Sequence, residues 1–168
     1  NIDVTVKNVY IADGSSINAD GGNVNINNSG ELQASENSIS TSGVGTITIN
    51  QSVDDAGTNN FIAPTIQVAL DAINNSGNGK NTINLGAGTF NQSTTIDKSV
   101  DIIGVNRNTT FIAPSAGNGF TIDGIINGVV RILRMDISGA NTGISVQDTT
   151  TAQAVVVGGV RIQDSVQN

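Results

Sequence analysis

Four aspartates and two arginines are the residues whose types and spacing could do chemistry. Asp101, Asp123, Asp136 and Asp148 follow one another at intervals short enough for some to stack on one face of a repeating fold. Two carboxyl groups about 5–10 Å apart are the minimum geometry for cleaving a glycosidic bond. Arg131 and Arg134 flank Ile132-Leu133. One of them could abstract a proton or clamp a carboxylate sugar through its planar guanidinium. The plainer reading makes the acids solvated turn residues. It makes both arginines outward-facing partners of Asp136 or Asp148, and that is the expectation. Asp54-Asp55, followed by Gly57, Thr58 and Asn59, could cradle Ca2+ through side-chain and carbonyl oxygens. Asp13 and Asp20, each beside glycine, offer a similar arrangement. None of these is an EF-hand loop or a G-G-x-G-x-D repeat, and turn or cap duty is expected of them. No catalytic residue and no cofactor is therefore assigned, with Ca2+ at Asp54 and Asp55 the one metal option.

Other chemistries are excluded by residue type. The chain has no His, which removes the commonest general base and metal ligand, and no Cys, which removes thiol chemistry and disulfides. The glycine-rich stretches GAGTF, DGG and GVGT lack the lysine of a P-loop and the βαβ setting of a dinucleotide fingerprint, so they are read as corners. Thr46 and Thr48 make one T-x-T pair, where an ice-binding face would need such pairs on many successive coils. Net charge is −7, the seven Lys and Arg are scattered, and only 3% of residues are aromatic. That balance argues against nucleic acid and against anionic lipid as partners. No apolar run is long enough for a transmembrane helix.

The elements that must carry these residues are strands. The chain holds 22 Ile and 17 Val but 4 Leu, with 20 Gly and 23 Asn against 2 Pro. β-Branched residues suit a pleated, packed surface, and Gly and Asn tolerate the positive φ of tight corners. Short alternating runs recur throughout: IDVTV, NVNIN and TITIN in the first 50 residues, then TINL, SVDIIGV, GFTIDG, VVRILRMDISG, TGISVQD and AVVVGGVRIQD. From Val4/Val6 to Val24/Ile26 the step is 20 residues, and the next is 23. Leu85, Ile102 and Ile122 continue with steps of 17 and 20. A repeat near 20 residues built of strands and turns predicts a solenoid. A β-sandwich would also alternate, but with more aromatics and longer strands.

One segment breaks the pattern. PTIQVALDAINNSG, residues 64–77, places Ile66, Ala69, Leu70 and Ile73 on one helical face. Pro64 and Thr65 suit a helix start, and the Asn-Asn-Ser-Gly run at 74–77 suits its stop. The spacing predicts a helix over about 65–75. It would either lid the open end of one solenoid segment or lie as an insertion against one side of a continuous one.

These residues also resemble a family. TIQVALDAINNSGNGKNTINLGAGTF followed by TTIDKSVDIIGV is similar to the opening of right-handed parallel β-helix proteins of the pectate-lyase-like superfold. Thr65, Ile66, Gln67, Ala69, Leu70 and Ala72 match its helix; Thr82, Ile83 and Leu85 its first strand; Gly88 and Phe90 its turn; Ile102 and Gly104 its next strand. The match spans about residues 63–145. It implies an all-β fold, a right-handed parallel β-helix with one short α-helix at about 65–75, but it leaves function open, since enzymes and inert stalks share that opening. GSSINADGGNVNINNSGELQAS resembles the stalk of filamentous-haemagglutinin-type exoproteins. Enzymes of the superfold pair acid-bound Ca2+ with an Arg or Lys, or use clustered Asp with a G-H-G turn and R-I-K. The G-H-G turn is missing here, and Arg131-Ile132-Leu133 is a poor echo of R-I-K.

The expected organisation is stalk-like coils over 1–50, a connection and capping helix over 51–77, and a second β-helix segment over 78–168. The chain does not begin with Met and shows no leader, and strand pattern runs to both ends. It is therefore expected to be a slice or repeating unit of a longer exported protein, or a subunit whose copies stack end to end. The functional expectation is a structural or adhesive module at a bacterial cell surface or outside the cell, not an enzyme. Its partners would be neighbouring repeats or subunits end to end and glycans. The alternative is a lyase or hydrolase acting on acidic polysaccharide.

Overall fold

A computed structural model describes residues 1–28, 32–41, 45–51, 66–73, 81–124, 128–138, 141–147 and 154–163. The chain divides into two units, Asn1–Asn84 and Leu85–Asn168. Each is a parallel β-solenoid whose strands pair with the strand one coil away.

The first unit contains β1 (Ile2–Val6), β2 (Val9–Ile11), β3 (Ile17–Ala19), β4 (Val24–Asn28), β5 (Leu32–Ala34), β6 (Ile39–Thr41), β7 (Ile47–Gln51), α1 (Ile66–Ala72) and β8 (Thr82–Leu85), which crosses into the second. A five-residue strand and two three-residue strands make one coil. β1, β4, β7 and β8 stack in that order, β2 stacks on β5, and β3 on β6. Val4 lies opposite Ile26, and Ile26 opposite Ile49. Successive coils are therefore 22 and 23 residues apart. The first step is two residues longer than the apolar pattern suggests, because Val6 does not join the core. It pairs with Asn28 and stands 42% exposed, while Asn28 is buried.

α1 turns Ile66, Ala69, Leu70 and Ala72 inward, and Gln67 Nε2 donates to Asp71 Oδ1 at 2.7 Å, four residues on. It packs against β5, the last strand of its two-stranded sheet. Directly after the helix, Ile73 bridges Ile39 in parallel, and Asn37 N–H donates to the Asp71 carbonyl at 2.9 Å. The helix thus covers β5 where a third stacked strand would come, and the chain resumes the coil path at Ile73. Pro64, Thr65 and residues 74–77, expected to start and stop the helix, lie outside the described residues.

The second unit contains β9 (Gly88–Phe90), β10 (Thr94–Ile96), β11 (Val100–Gly104), β12 (Thr110–Ile112), β13 (Phe120–Ile122), β14 (Val129–Leu133), β15 (Asp136–Ser138), β16 (Ile144–Val146), β17 (Ala154–Gly158) and β18 (Arg161–Gln163). Three parallel columns form: β9-β12-β15-β18, β10-β13-β16 and β11-β14-β17. Coil length varies from about 22 upward; Asp101 and its partner Arg131 are 30 residues apart, Asp136 and Arg161 25. Ile102 therefore stacks on Ile132, and Ile122 on Ile96 and Val146. Ile102 and Ile122 lie in different columns, so the even 17- and 20-residue steps through Leu85 do not hold.

Each core is a ladder of inward Ile, Val, Leu and Phe. Ile26, Ile49, Ile83, Ile102, Ile112, Phe120 and Ile132 are fully buried. Burying such a side chain is worth about 1.5–3 kcal/mol, which is what drives coil onto coil. Corners are closed by small or hydroxyl residues. Thr110 Oγ1 donates to the Gly86 carbonyl at 3.0 Å and accepts from Val105 N–H at 3.1 Å. Gly45 sits so close to the corner beneath it that a Cβ would lie 2.1 Å from the Gly22 carbonyl oxygen.

Candidate functional site

A strand buried on one side sends alternate residues outward, so any stack of inward Ile is matched by a stack of whatever lies between. In the first unit those intervening residues are polar. Asp3, Asn25 and Thr48 form one outward column; Thr5, Asn27 and Asn50 form the next. The side chains bond along the stack. Asn25 Nδ2 donates to Asp3 Oδ1 at 2.6 Å, and Asn27 Nδ2 donates to Thr5 Oγ1 at 3.1 Å. Asn50 Nδ2 donates to Asn27 Oδ1, and Asn84 Nδ2 to Asn50 Oδ1 at 2.7 Å. Asn27 and Asn50 each donate toward the earlier coil and accept from the later one, while Asn25 and Asn84 donate toward the earlier coil. Each NH2 has two hydrogens and each carbonyl oxygen two lone pairs, so at Asn27 and Asn50 the ladder uses half of each group and leaves half for an outside partner. The coils are spaced by the strand separation of about 4.8 Å, which sets the period of that array.

In the second unit the outward columns carry charge. Arg131 Nη1 meets Asp101 Oδ1 at 2.9 Å across β11 and β14, both side chains partly shielded. On β15, Asp136 is 1% exposed although its position faces outward. Its Oδ2 accepts from Arg161 Nε at 2.8 Å, from Arg161 Nη2 and from Gln163 Nε2 at 2.7 Å. Its Oδ1 is buried with no hydrogen-bond partner. Residues of the next coil cover this carboxylate, so it is a buried strand residue rather than a solvated turn residue. Arg134 does not pair with Asp136; it stands exposed at the corner after β14 in a left-handed conformation, φ 59°, and its other expected partner, Asp148, lies outside the described residues.

Of the four candidate aspartates, the three that are described do not stack on one another. Asp101 is in β11, Asp136 in β15, and Asp123 follows β13, so each belongs to a different column; Asp148 lies outside the described residues. Asp54 and Asp55, the Ca2+ candidates, also lie outside them. Asp13 Oδ1 accepts from Ser35 Oγ at 2.8 Å across one coil, and Asp20 sits in the turn before Gly21. Among the described residues no three acids gather as a metal group. Among them, too, no helix is long and apolar enough to cross a membrane, which leaves strand-built spans untouched.

Sequence reasoning missed both the carboxamide ladder and the Asp136–Arg161–Gln163 cluster. The signal for the second was present: Asp-Ile-Ser at 136–138 and Arg-Ile-Gln at 161–163 align Ile on Ile. No protein-family model, no curated protein and no solved structure matches the chain.

Proposed function

We propose that this chain is a β-solenoid stalk or fibre segment of an exported bacterial surface protein, and that its outward carboxamide face binds glycans or neighbouring chains. The observation that carries this reading is the Thr5–Asn27–Asn50–Asn84 ladder, with Asp3, Asn25 and Thr48 beside it. A regular row of half-used amide donors and acceptors matches the hydroxyl array of a polysaccharide chain. The resemblances to pectate-lyase-like β-helices and to filamentous-haemagglutinin-type exoproteins supply the setting, outside the cell, where rigid solenoids serve as spacers. The test is a glycan array and a surface-adhesion assay with the purified chain. Binding that falls at least tenfold in an Asn27→Ala/Asn50→Ala double variant supports the reading. A chain that binds no glycan and no surface removes the adhesive part and leaves the spacer.

A second reading is favoured by Asp136 Oδ1, a buried carboxylate oxygen without a partner, next to the half-exposed Arg161. It makes the second unit a polysaccharide-acting site, with the half-exposed Arg161 contacting an acidic sugar and the buried Asp136 holding its guanidinium in place. Incubation with polyuronates, with and without Ca2+, would yield unsaturated or shortened product, and loss of that product in Asp136→Asn would assign it. No product in either condition sinks this reading.

A further inference from the structure

The arginines are scattered along the sequence, but the fold gathers them. All four in the chain, Arg107, Arg131, Arg134 and Arg161, belong to the second unit. Arg131 is held by Asp101. The other three meet at one corner of the coils, where the five-residue strands β11, β14 and β17 lead into β12, β15 and β18. The three turns stack there. A Cβ on Gly104 would lie 2.4 Å from the Arg134 carbonyl oxygen, and one on Gly159 would lie 3.7 Å from the Arg134 Cα. Arg134 N–H donates to the Gly158 carbonyl at 2.9 Å. Around this stack Arg107 comes three residues after Gly104, Arg134 stands at the corner itself, and Arg161 comes two residues after Gly159. With strands about 4.8 Å apart and a rise of about 3.3 Å per residue, the Arg134 and Arg161 backbones lie about 8 Å apart on a diagonal.

Each arginine is positioned. Asn106 pins the turn that carries Arg107: its carbonyl accepts from Thr109 N–H at 3.2 Å and from Thr110 N–H at 3.0 Å, and its Oδ1 accepts from Asn108 N–H at 2.8 Å. Arg134 keeps a φ of 59°, which strains a residue with a Cβ; the next coil meets the same corner with Gly159, φ 64°. A charged side chain kept where glycine is unstrained points to a use for that side chain. Asp136 orients Arg161 by accepting from Nε and Nη2, which leaves three of the five N–H donors of the fork for a ligand. Arg107 and Arg134 are exposed and have no ion pair among the described residues, and Asp136 is the one described carboxylate at these corners.

A guanidinium takes an oxyanion through its planar fork, so a row of three fits a ligand that repeats its anion. Duplex nucleic acid carries one charge per about 1.7 Å, far denser than the row, and would set that excess against a chain of net charge −7. A polysaccharide spreads its carboxylates or sulfates a sugar unit or more apart, nearer the spacing of the row. Phe111, outward on β12 and opposite Asp136 in register, adds a half-buried ring beside the row for the C–H face of a sugar. We infer that the stacked corner of Arg107, Arg134 and Arg161 binds an anionic polysaccharide, with successive carboxylates or sulfates seated on successive coils. This deepens the reading of Arg161 as an acidic-sugar contact and rests on it. It extends that contact to three guanidiniums and requires no bond to be cleaved.

The test is isothermal titration calorimetry of the full chain with polygalacturonate, lightly sulfated dextran, neutral dextran and a DNA duplex, at about 0.05 M and about 0.3 M salt. At least one anionic polysaccharide is expected to bind, more weakly at the higher salt, and the tighter of the two names the oxyanion. Neutral dextran should not bind, and DNA should bind less tightly. Arg107→Gln and Arg134→Gln should each lower affinity about 2–5-fold, the range of an exposed ion pair, and together about 4–25-fold. Lys7→Gln, the same charge change at an exposed site of the first unit, should leave affinity unchanged. Arg134→Gly, which installs the residue used by the next coil, should lose binding and keep the melting midpoint. No binding of either anionic polysaccharide, equal binding of neutral dextran, tighter binding of DNA, a Lys7→Gln effect as large as that of Arg134→Gln, or an undiminished double variant overturns the proposal. So does binding lost in Asn27→Ala/Asn50→Ala but kept in the arginine variants, which assigns it to the carboxamide ladder. A lowered midpoint in Arg134→Gly makes Arg134 structural and breaks the row. Binding through the row with no product from polyuronate removes only the cleavage reading, whereas product with an undiminished double variant removes only the row.

Discussion

Replacing Asp136 tests how β18 is held on β15. The carboxylate is 1% exposed and takes three donor contacts on Oδ2: Nε and Nη2 of Arg161 and Nε2 of Gln163. Two opposed effects decide the outcome. A hydrogen bond to a charged group contributes about 1.5–3 kcal/mol, and burying a carboxylate costs several kcal/mol. Removing one partner of a fully buried pair costs about 3–5 kcal/mol, because the survivor is stranded. Here the survivor is not stranded, since the Arg161 side chain is 44% exposed and rehydrates. Asp136→Ala is therefore expected to cost about 1–3 kcal/mol, below the fully buried value. Asp136→Asn should cost less, because it keeps the shape and one acceptor oxygen. Both donors to Asp136, Arg161 and Gln163, lie in β18, so the loss should appear first there. Amide hydrogen exchange at Arg161–Gln163 should speed about tenfold or more in Asp136→Ala, in line with 1.4 kcal/mol per factor of ten. Exchange at β11 should change little, and the urea midpoint should fall at constant m. Unchanged exchange at β18, or a stabilised Asp136→Ala protein, would refute the clamp: desolvation would then outweigh the three bonds.

Two further substitutions separate a tight corner from a surface ion pair. Gly45→Ala places a Cβ about as close to the Gly22 carbonyl as a hydrogen bond's own H···O contact, 2.1 Å, so the corner must shift; a loss of about 1–3 kcal/mol is expected by thermal denaturation, typical of forced overpacking. Arg131→Ala removes the 2.9 Å contact to Asp101, whose side chains are 27% and 16% exposed; such a partly screened pair should contribute at most about 1 kcal/mol, and the difference should shrink further in about 1 M salt.

The strand content, the inward ladders and the helix were legible in the sequence, because each depends only on neighbours along the chain. Ile-x-Ile and Val-x-Ile alternation selects the faces of a strand wherever that strand goes, as at Val24/Ile26, Ile47/Ile49 and Val130/Ile132. The stripe Ile66, Ala69, Leu70 announced α1, although its seven residues end sooner than the pattern does. Ile73 leaves the helix because it pairs with Ile39, a partner thirty-odd residues back that no local rule can see. Alternation placed Val6 in phase with Ile2 and Val4 but did not show that it would stack on Asn28 rather than on an apolar residue, or that it would stand 42% exposed.

Composition and periodicity alone therefore determined that the chain coils, with Ile and Val inside and Asn, Thr and Asp outside. Which outward residues meet was decided only by the tertiary structure. Coil lengths run from 22 to 34 residues between bonded neighbours, because corners absorb insertions at little cost. A change of one residue at any corner flips a strand's faces, and a change of two slides its partners. That is why Asp101 found Arg131, why Arg161 rather than Arg134 found Asp136, and why Asn27, Asn50 and Asn84 line up, although nothing in their spacing along the chain is regular.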